Sequence, residues 1–248
     1  MLAAERYSLS RARLAHLLQD LKQNSIEVAS LCLPAGLSRQ EIEGLLESLS
    51  DRRSLPDDLA EAAAGSPTGA MLFWGPHHRY LVLPPFPVQE QRFSQTCEIE
   101  PLEGLLNKQY LIGLILVRLG AYAIALVKGE NLLYSKAGTG LVHARHRQGG
   151  SSSHRFERHR YKQMETFFTR VCLHAREQLE ARSASLDFVL YGGARETILE
   201  FRKQCDFAKA LDKKTLPLLL NVREAKQSTL HEAIQAAWSS RVIQWDER

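Results

Sequence analysis

Apolar residues recur at helical spacing in two places in the first hundred residues. Leu14, Leu17, Leu18 and Leu21 fall at i, i+3, i+4 and i+7, which predicts a helix over 10–24 with one buried stripe. Ile42, Leu45, Leu46 and Leu49 do the same for a second helix, and Ser38 with Glu41 three residues on forms a capping-box signature at its start. A strand is predicted over 28–33, ending at Pro34, and a hairpin over 70–74 and 80–83 around Gly75-Pro76-His77-His78. The polar, Ala-rich stretch 51–68 reads as irregular or helical. Pro84-Pro85-Phe86-Pro87 ends this unit, because proline cannot donate to a strand ladder.

The second half alternates between periods. Strands are predicted at 111–118 and 121–128, joined by a tight turn at Gly120, followed by a short strand at 132–134. A glycine-rich loop over 138–153 precedes a long helix from about 154 to 181, whose buried side is Met164, Phe167, Phe168, Val171, Ala175 and Leu179. A strand at 186–191, a helix at 194–204, a strand at 216–220 and a helix at 229–239 complete the chain. The expected organisation is an α/β domain over 1–87, a linker over 88–107 and a second α/β layer structure with parallel pairing over 108–248.

Composition narrows the picture only a little. With 44% apolar and 24% charged residues in 248, the chain is neither disordered nor a charged coiled coil. The apolar stretch 110–127 carries Arg118, and a charge in a span costs about 2.5–3.5 kcal/mol, so two strands explain it better than a membrane helix. Cys32, Cys97, Cys172 and Cys205 lack metal-ligand spacing. Free thiols in a reducing, cytoplasmic setting are the expectation, with no metal and no cofactor.

Charge changes the picture once it is placed along the chain. The net charge is +4 over the whole sequence, yet the segment 143–162, HARHRQGGSSSHRFERHRYK, alone carries +5, leaving −1 for the remainder. Arg145, Arg147, Arg155, Arg158, Arg160 and Lys162 are set against the single acid Glu157. Concentrated positive charge at a flexible turn and helix start suits contact with nucleic-acid phosphates. Gly149 and Gly150 permit close backbone approach to a ligand, and Ser151, Ser152 and Ser153 add hydrogen-bonding groups without bulk. Arg155, Arg158 and Lys162 share one helix face, opposite Met164 and Phe168. The competing reading is a solvated helix face behind a loop.

This segment, Gly149-Gly150-Ser151-Ser152-Ser153-His154-Arg155-Phe156-Glu157-Arg158-His159-Arg160, resembles the Gly-Gly-Gln loop and following basic helix of eukaryotic and archaeal class I peptide-release factors. It is closer still to the release-factor-like domain of Vms-type peptidyl-tRNA hydrolases, which act on stalled large ribosomal subunits. The resemblance covers about 108–245 and extends to the strand and glycine turn at 186–193 and to Cys205-Asp206-Phe207. It implies an RNase H-like α/β fold for the second domain. It implies partners: the large ribosomal subunit, ribosomal RNA and peptidyl-tRNA. It also implies roles, in which Gly149 and Gly150 shape the loop that places water against the peptidyl-tRNA ester. Arg155, Arg158 and Arg160 match the basic helix positions that would meet ribosomal RNA. Ser151 and Ser152 stand where the two groups of relatives carry the water-orienting Gln.

Two functions therefore compete: a hydrolase in which Ser151 or Ser152 and the loop amides place the water, and a non-catalytic ribosome- or RNA-binding factor on the same fold. Other chemistry is disfavoured. No carboxylate cluster marks a two-metal nuclease, no G-x-S-x-G a serine hydrolase, and Gly192-Gly193 stands outside any dinucleotide or Walker pattern.

Overall fold

The computed structural model describes residues 2–24, 27–49, 55–142 and 153–247, arranged as two units. The first comprises residues 1–108 and 235–248, the second 109–234.

The first unit is built on six strands, β1 (Leu2–Leu9), β2 (Ala29–Leu33), β3 (Ala70–Trp74), β4 (Arg79–Leu83), β5 (Arg92–Ser94) and β11 (Ser240–Glu247). They are ordered β1-β11-β4-β3-β2-β5, and every neighbouring pair is antiparallel. Alternation gives the sheet two apolar faces. Leu31, Leu33, Leu72, Trp74, Leu81, Leu83, Ile243 and Trp245 pack against α2 (Arg39–Leu46) and α3 (Leu59–Ala64). The predicted capping box is present: the Ser38 hydroxyl accepts from the Glu41 amide, and the Glu41 carboxylate accepts from the Ser38 amide. Cys32 and Met71, on the other face, line a cavity with Gly104 and Leu105 of α4 (Glu100–Asn107). A Lys22–Glu100 ion pair at 2.7 Å ties α4 to α1 (Arg11–Asn24), whose Leu14, Leu18 and Leu21 are buried as the stripe predicts.

The structure departs from two expectations. The linker expected over 88–107 is instead structured: β5 pairs with β2 at the sheet edge, and α4 buries Leu102, Leu105 and Leu106. The last residues do not belong to the second domain either. β11 pairs with β1 along its whole length and with β4 on its other side, so strands from opposite ends of the sequence lie together in the first sheet.

The second unit is a five-stranded sheet of β6 (Leu111–Arg118), β7 (Ala121–Lys128), β8 (Asn131–Thr139), β9 (Phe188–Gly193) and β10 (Thr215–Leu220). Its order is β10-β9-β6-β7-β8. β6, β7 and β8 form an antiparallel meander, while β9 runs parallel to β6 and β10 parallel to β9. In chain order this is 3-2-1-4-5 with the second strand reversed, the arrangement that an RNase H-like domain calls for. Parallel pairing is thus confined to one half of the sheet.

Three helices connect these strands and cover one face: α5 (Ser153–Leu179), α6 (Arg195–Gln204) and α7 (Asp206–Ala210). Phe167, Phe168, Val171, Ala175 and Leu179 of α5 are buried against Ile115, Val117, Tyr122, Ile124 and Leu126. The chain returns to the first unit within α8 (Leu230–Ala237).

The thiols also depart from expectation. Cys32 and Cys97 are outside any disulfide, but Cys172 and Cys205 form one that joins α5 to the junction of α6 and α7. The fold brings their Cα atoms to 5.5 Å, a proximity that a separation of 33 residues conceals. Closing a loop of that length removes unfolded-state entropy worth about 3–4 kcal/mol. Adding a dithiol reductant should therefore lower the denaturant midpoint of the second unit, followed by far-ultraviolet circular dichroism; an unchanged midpoint would contradict a bridging role for this bond.

Candidate nucleic-acid interface

The predicted site divides between described and undescribed residues. Gly149, Gly150, Ser151, Ser152, Arg145 and Arg147 lie outside the described residues, whereas Arg155, Arg158, Arg160 and Lys162 all fall on α5.

Helix α5 starts before its buried stripe does. Met164 is the first of the predicted stripe to pack on the core, and Phe167 and Phe168 the first to be fully buried. In the turns before it, Arg155, Phe156, Glu157, Arg158, His159, Tyr161 and Lys162 are exposed and Arg160 is half-buried. At 1.5 Å per residue, roughly 15 Å of helix precedes the buried stripe. Phe156 and Tyr161 are 57% and 56% exposed, so two aromatic rings stand among the cations. Cations can neutralise phosphates, and exposed aromatic faces can stack on bases. The signal in the sequence for these rings is their place on the helix before the buried stripe begins.

The strand that leads toward the glycines is held to the same helix. β8 pairs with β7 as far as Thr139, opposite Ala121. The Gly140 amide then donates to the Gly120 carbonyl at 3.0 Å. Arg170 of α5 donates from its guanidinium to the Thr139 carbonyl at 3.0 Å. Burial raises the pKa of the Tyr122 phenol, with Arg170 opposing the shift and Glu177 adding to it. Val142, the last described residue of this stretch, is partly buried against the α5 core.

The glycine pair at the end of β9 packs instead of cradling a ligand. A Cβ on Gly192 would lie 2.6 Å from the Leu116 side chain, and one on Gly193 would lie 2.1 Å from the Val117 carbonyl. Gly193 also has φ +133°. Beside it, Arg118 donates twice to the Val222 carbonyl, at 2.9 and 2.5 Å. The charge inside the apolar stretch therefore ties the end of β6 to the chain after β10.

A family model described as the Actinobacteria/chloroflexi VLRF1 release factor matches residues 110–243, more than half of the chain. The chain belongs to that release-factor family. Among curated relatives it is 31% identical to peptide chain release factor subunit 1 of Archaeoglobus fulgidus, over 65% of this chain and 40% of that protein. It is 27% identical to peptide chain release factor subunit 1-1 of Methanosarcina acetivorans, over 89% of this chain and 60% of that protein. The chain thus spans about half the length of these relatives. A crystal structure of the archaeal translation termination factor aRF1 aligns at 22% identity and a TM-score of 0.38, covering 92% of this chain and 73% of that one.

The family match takes in all of the second sheet, α5 and the segment bearing the glycines. The basic helix is legible in the sequence, whereas Arg170 is a single cation on α5 that is marked out by the distant carbonyl it reaches.

Exposure and burial along α5 separate charge from stability. Arg155→Ala and Arg158→Ala should each change unfolding free energy by less than about 0.5 kcal/mol. Phe168→Ala should cost about 3–5 kcal/mol. Chemical denaturation of the three variants checks this; a large loss for either arginine would mean that it supports the fold.

Proposed function

We propose that this release-factor-family protein acts on the large ribosomal subunit and hydrolyses the ester of peptidyl-tRNA in the rescue of stalled translation. The observation that carries the reading is the overhanging basic start of α5, directly after the glycine pair. Arg155, Arg158, Arg160 and Lys162, with Arg145 and Arg147 before them, neutralise ribosomal RNA phosphates. Gly149 and Gly150 give the segment the backbone freedom to reach the ester. Ser151 or Ser152, together with backbone amides, orients the attacking water, and donors fixed toward the tetrahedral oxyanion supply the largest share of the rate. The place of action is the cytoplasm. Among the described residues, no helix is long and apolar enough to cross a membrane.

A second reading has its own support. Serines occupy both positions at which the resembling factors carry Gln, and a hydroxyl reaches less far than an amide side chain. On that reading the protein binds the ribosome or its RNA without cleaving the ester.

The assay is release of labelled peptide from peptidyl-tRNA on purified large subunits. Hydrolysis above a Gly150→Val control is expected; release at the control level overturns the hydrolase and leaves the binder. Charge reversal at Arg155 and Arg158 should weaken subunit binding and flatten its dependence on the logarithm of salt concentration by about two. Binding unchanged in affinity and salt slope would overturn both readings.

A further inference from the structure

The described residues at the exit of β8 hold the chain at successive points just before the glycine-bearing segment. Gly138 lies against the Tyr122 ring, so closely that a Cβ there would be 2.3 Å from the phenol oxygen. Thr139 accepts from Arg170 at 3.0 Å. Gly140 donates to Gly120, and a Cβ on Gly140 would be 2.6 Å from the Phe167 ring. Tyr122 is itself fixed: its ring lies 6.1 Å from that of Phe167 and stacks on His174 at 5.6 Å. Three of the groups behind this exit, Phe167, Arg170 and His174, belong to α5, the helix that begins where the segment ends.

Arg170 differs from its neighbours in this set. Phe167 and Tyr122 are core side chains that pack whatever the segment does. Arg170 is an exposed residue whose guanidinium turns back to a backbone carbonyl 31 residues earlier, on the last paired residue of β8. A charged donor on a single carbonyl gives a directed bond that can be removed without opening the core.

We propose that Arg170 is a positioning residue that clamps the exit of β8 to α5 and so fixes the chain just ahead of the glycine-bearing segment. The clamp stands on the geometry of described residues; its consequence for peptide release rests on the hydrolase reading above. A segment whose root drifts places its water less often against the ester. A misplacement of about 1 Å can cost a hundredfold in rate, so a loosened root should lower turnover and leave binding alone.

The test uses the full chain with Arg170→Ala and Arg170→Lys and two readouts. Amide hydrogen exchange at Gly140 should speed up roughly tenfold in Arg170→Ala and recover at least partly in Arg170→Lys, which keeps one donor. In the release assay, kcat should fall roughly tenfold in Arg170→Ala with KM and the salt dependence of binding unchanged. Unaltered Gly140 exchange in Arg170→Ala overturns the clamp, whether or not the wild-type chain releases peptide. Faster exchange with unaltered kcat overturns the positioning role. A raised KM with a shallower salt slope and unaltered kcat also overturns it, since Arg170 would then be an RNA contact. If the wild-type chain releases nothing, the hydrolase reading fails and the exchange measurement alone decides the clamp.

Discussion

The packing of α5 on the second sheet is the interaction from which the rest of the site follows. One stripe, Phe167, Phe168, Val171, Ala175 and Leu179, is buried against the strands of the meander. Burying a Phe, Val or Leu side chain is worth about 1.5–3 kcal/mol, so this stripe holds both the position and the rotation of the helix. With the rotation fixed, the periodicity of 3.6 residues sets the direction in which each side chain of the first turns projects. Arg155, Arg158 and Lys162 point away from the core because Phe168 and Val171 point into it. The Cys172–Cys205 bond adds a covalent tie to the same helix, on the side where α6 meets α7.

The order of strands explains how a single helix can serve both ends of the glycine-bearing segment. β8 is the edge strand of the meander, and the chain must leave it and cross the sheet to reach β9 on the other side of β6. Helix α5 is that crossing. The segment before it is bounded by β8 and by the helix that packs on the same sheet, and Arg170 bonds one to the other. Local positive charge is thus carried on a rigid element whose far end is anchored in the core, which suits recognition of a phosphate surface better than the same cations on a free tail.

Much of the second unit was legible from sequence, because its signals are local. The meander hairpin and the long helix with its stripe follow from period, turn residues and length, whereas Gly192 and Gly193, expected to end their strand at 191, are paired within β9. The first unit was legible in its middle and not at its edges. β1, with the sequence LAAERYSL, shows no clean alternation, and its partner β11 lies at the other end of the chain. The stretch 88–107 reads as a linker because it follows a proline run, yet its Phe93 strand and the Leu102, Leu105 and Leu106 face of α4 gain their meaning only from the sheet beside them. The disulfide and the Arg170 bond were hidden for the same reason: each joins residues about 30 apart that no spacing rule connects. In the site, residue types and charge density marked the helix, while the exposure that makes it available came from where the core stops.

The central claim is that the overhanging start of α5 is the surface that meets RNA, and the most direct test is photocrosslinking. Benzoylphenylalanine replaces Phe156 on that overhang in one variant and the exposed Leu199 of α6 in another. Each is irradiated with purified large ribosomal subunits. Crosslinks to ribosomal RNA from position 156, and none above background from position 199, are the expected result. Equal crosslinking from both positions, or none from position 156 under conditions where the factor is bound, would contradict it.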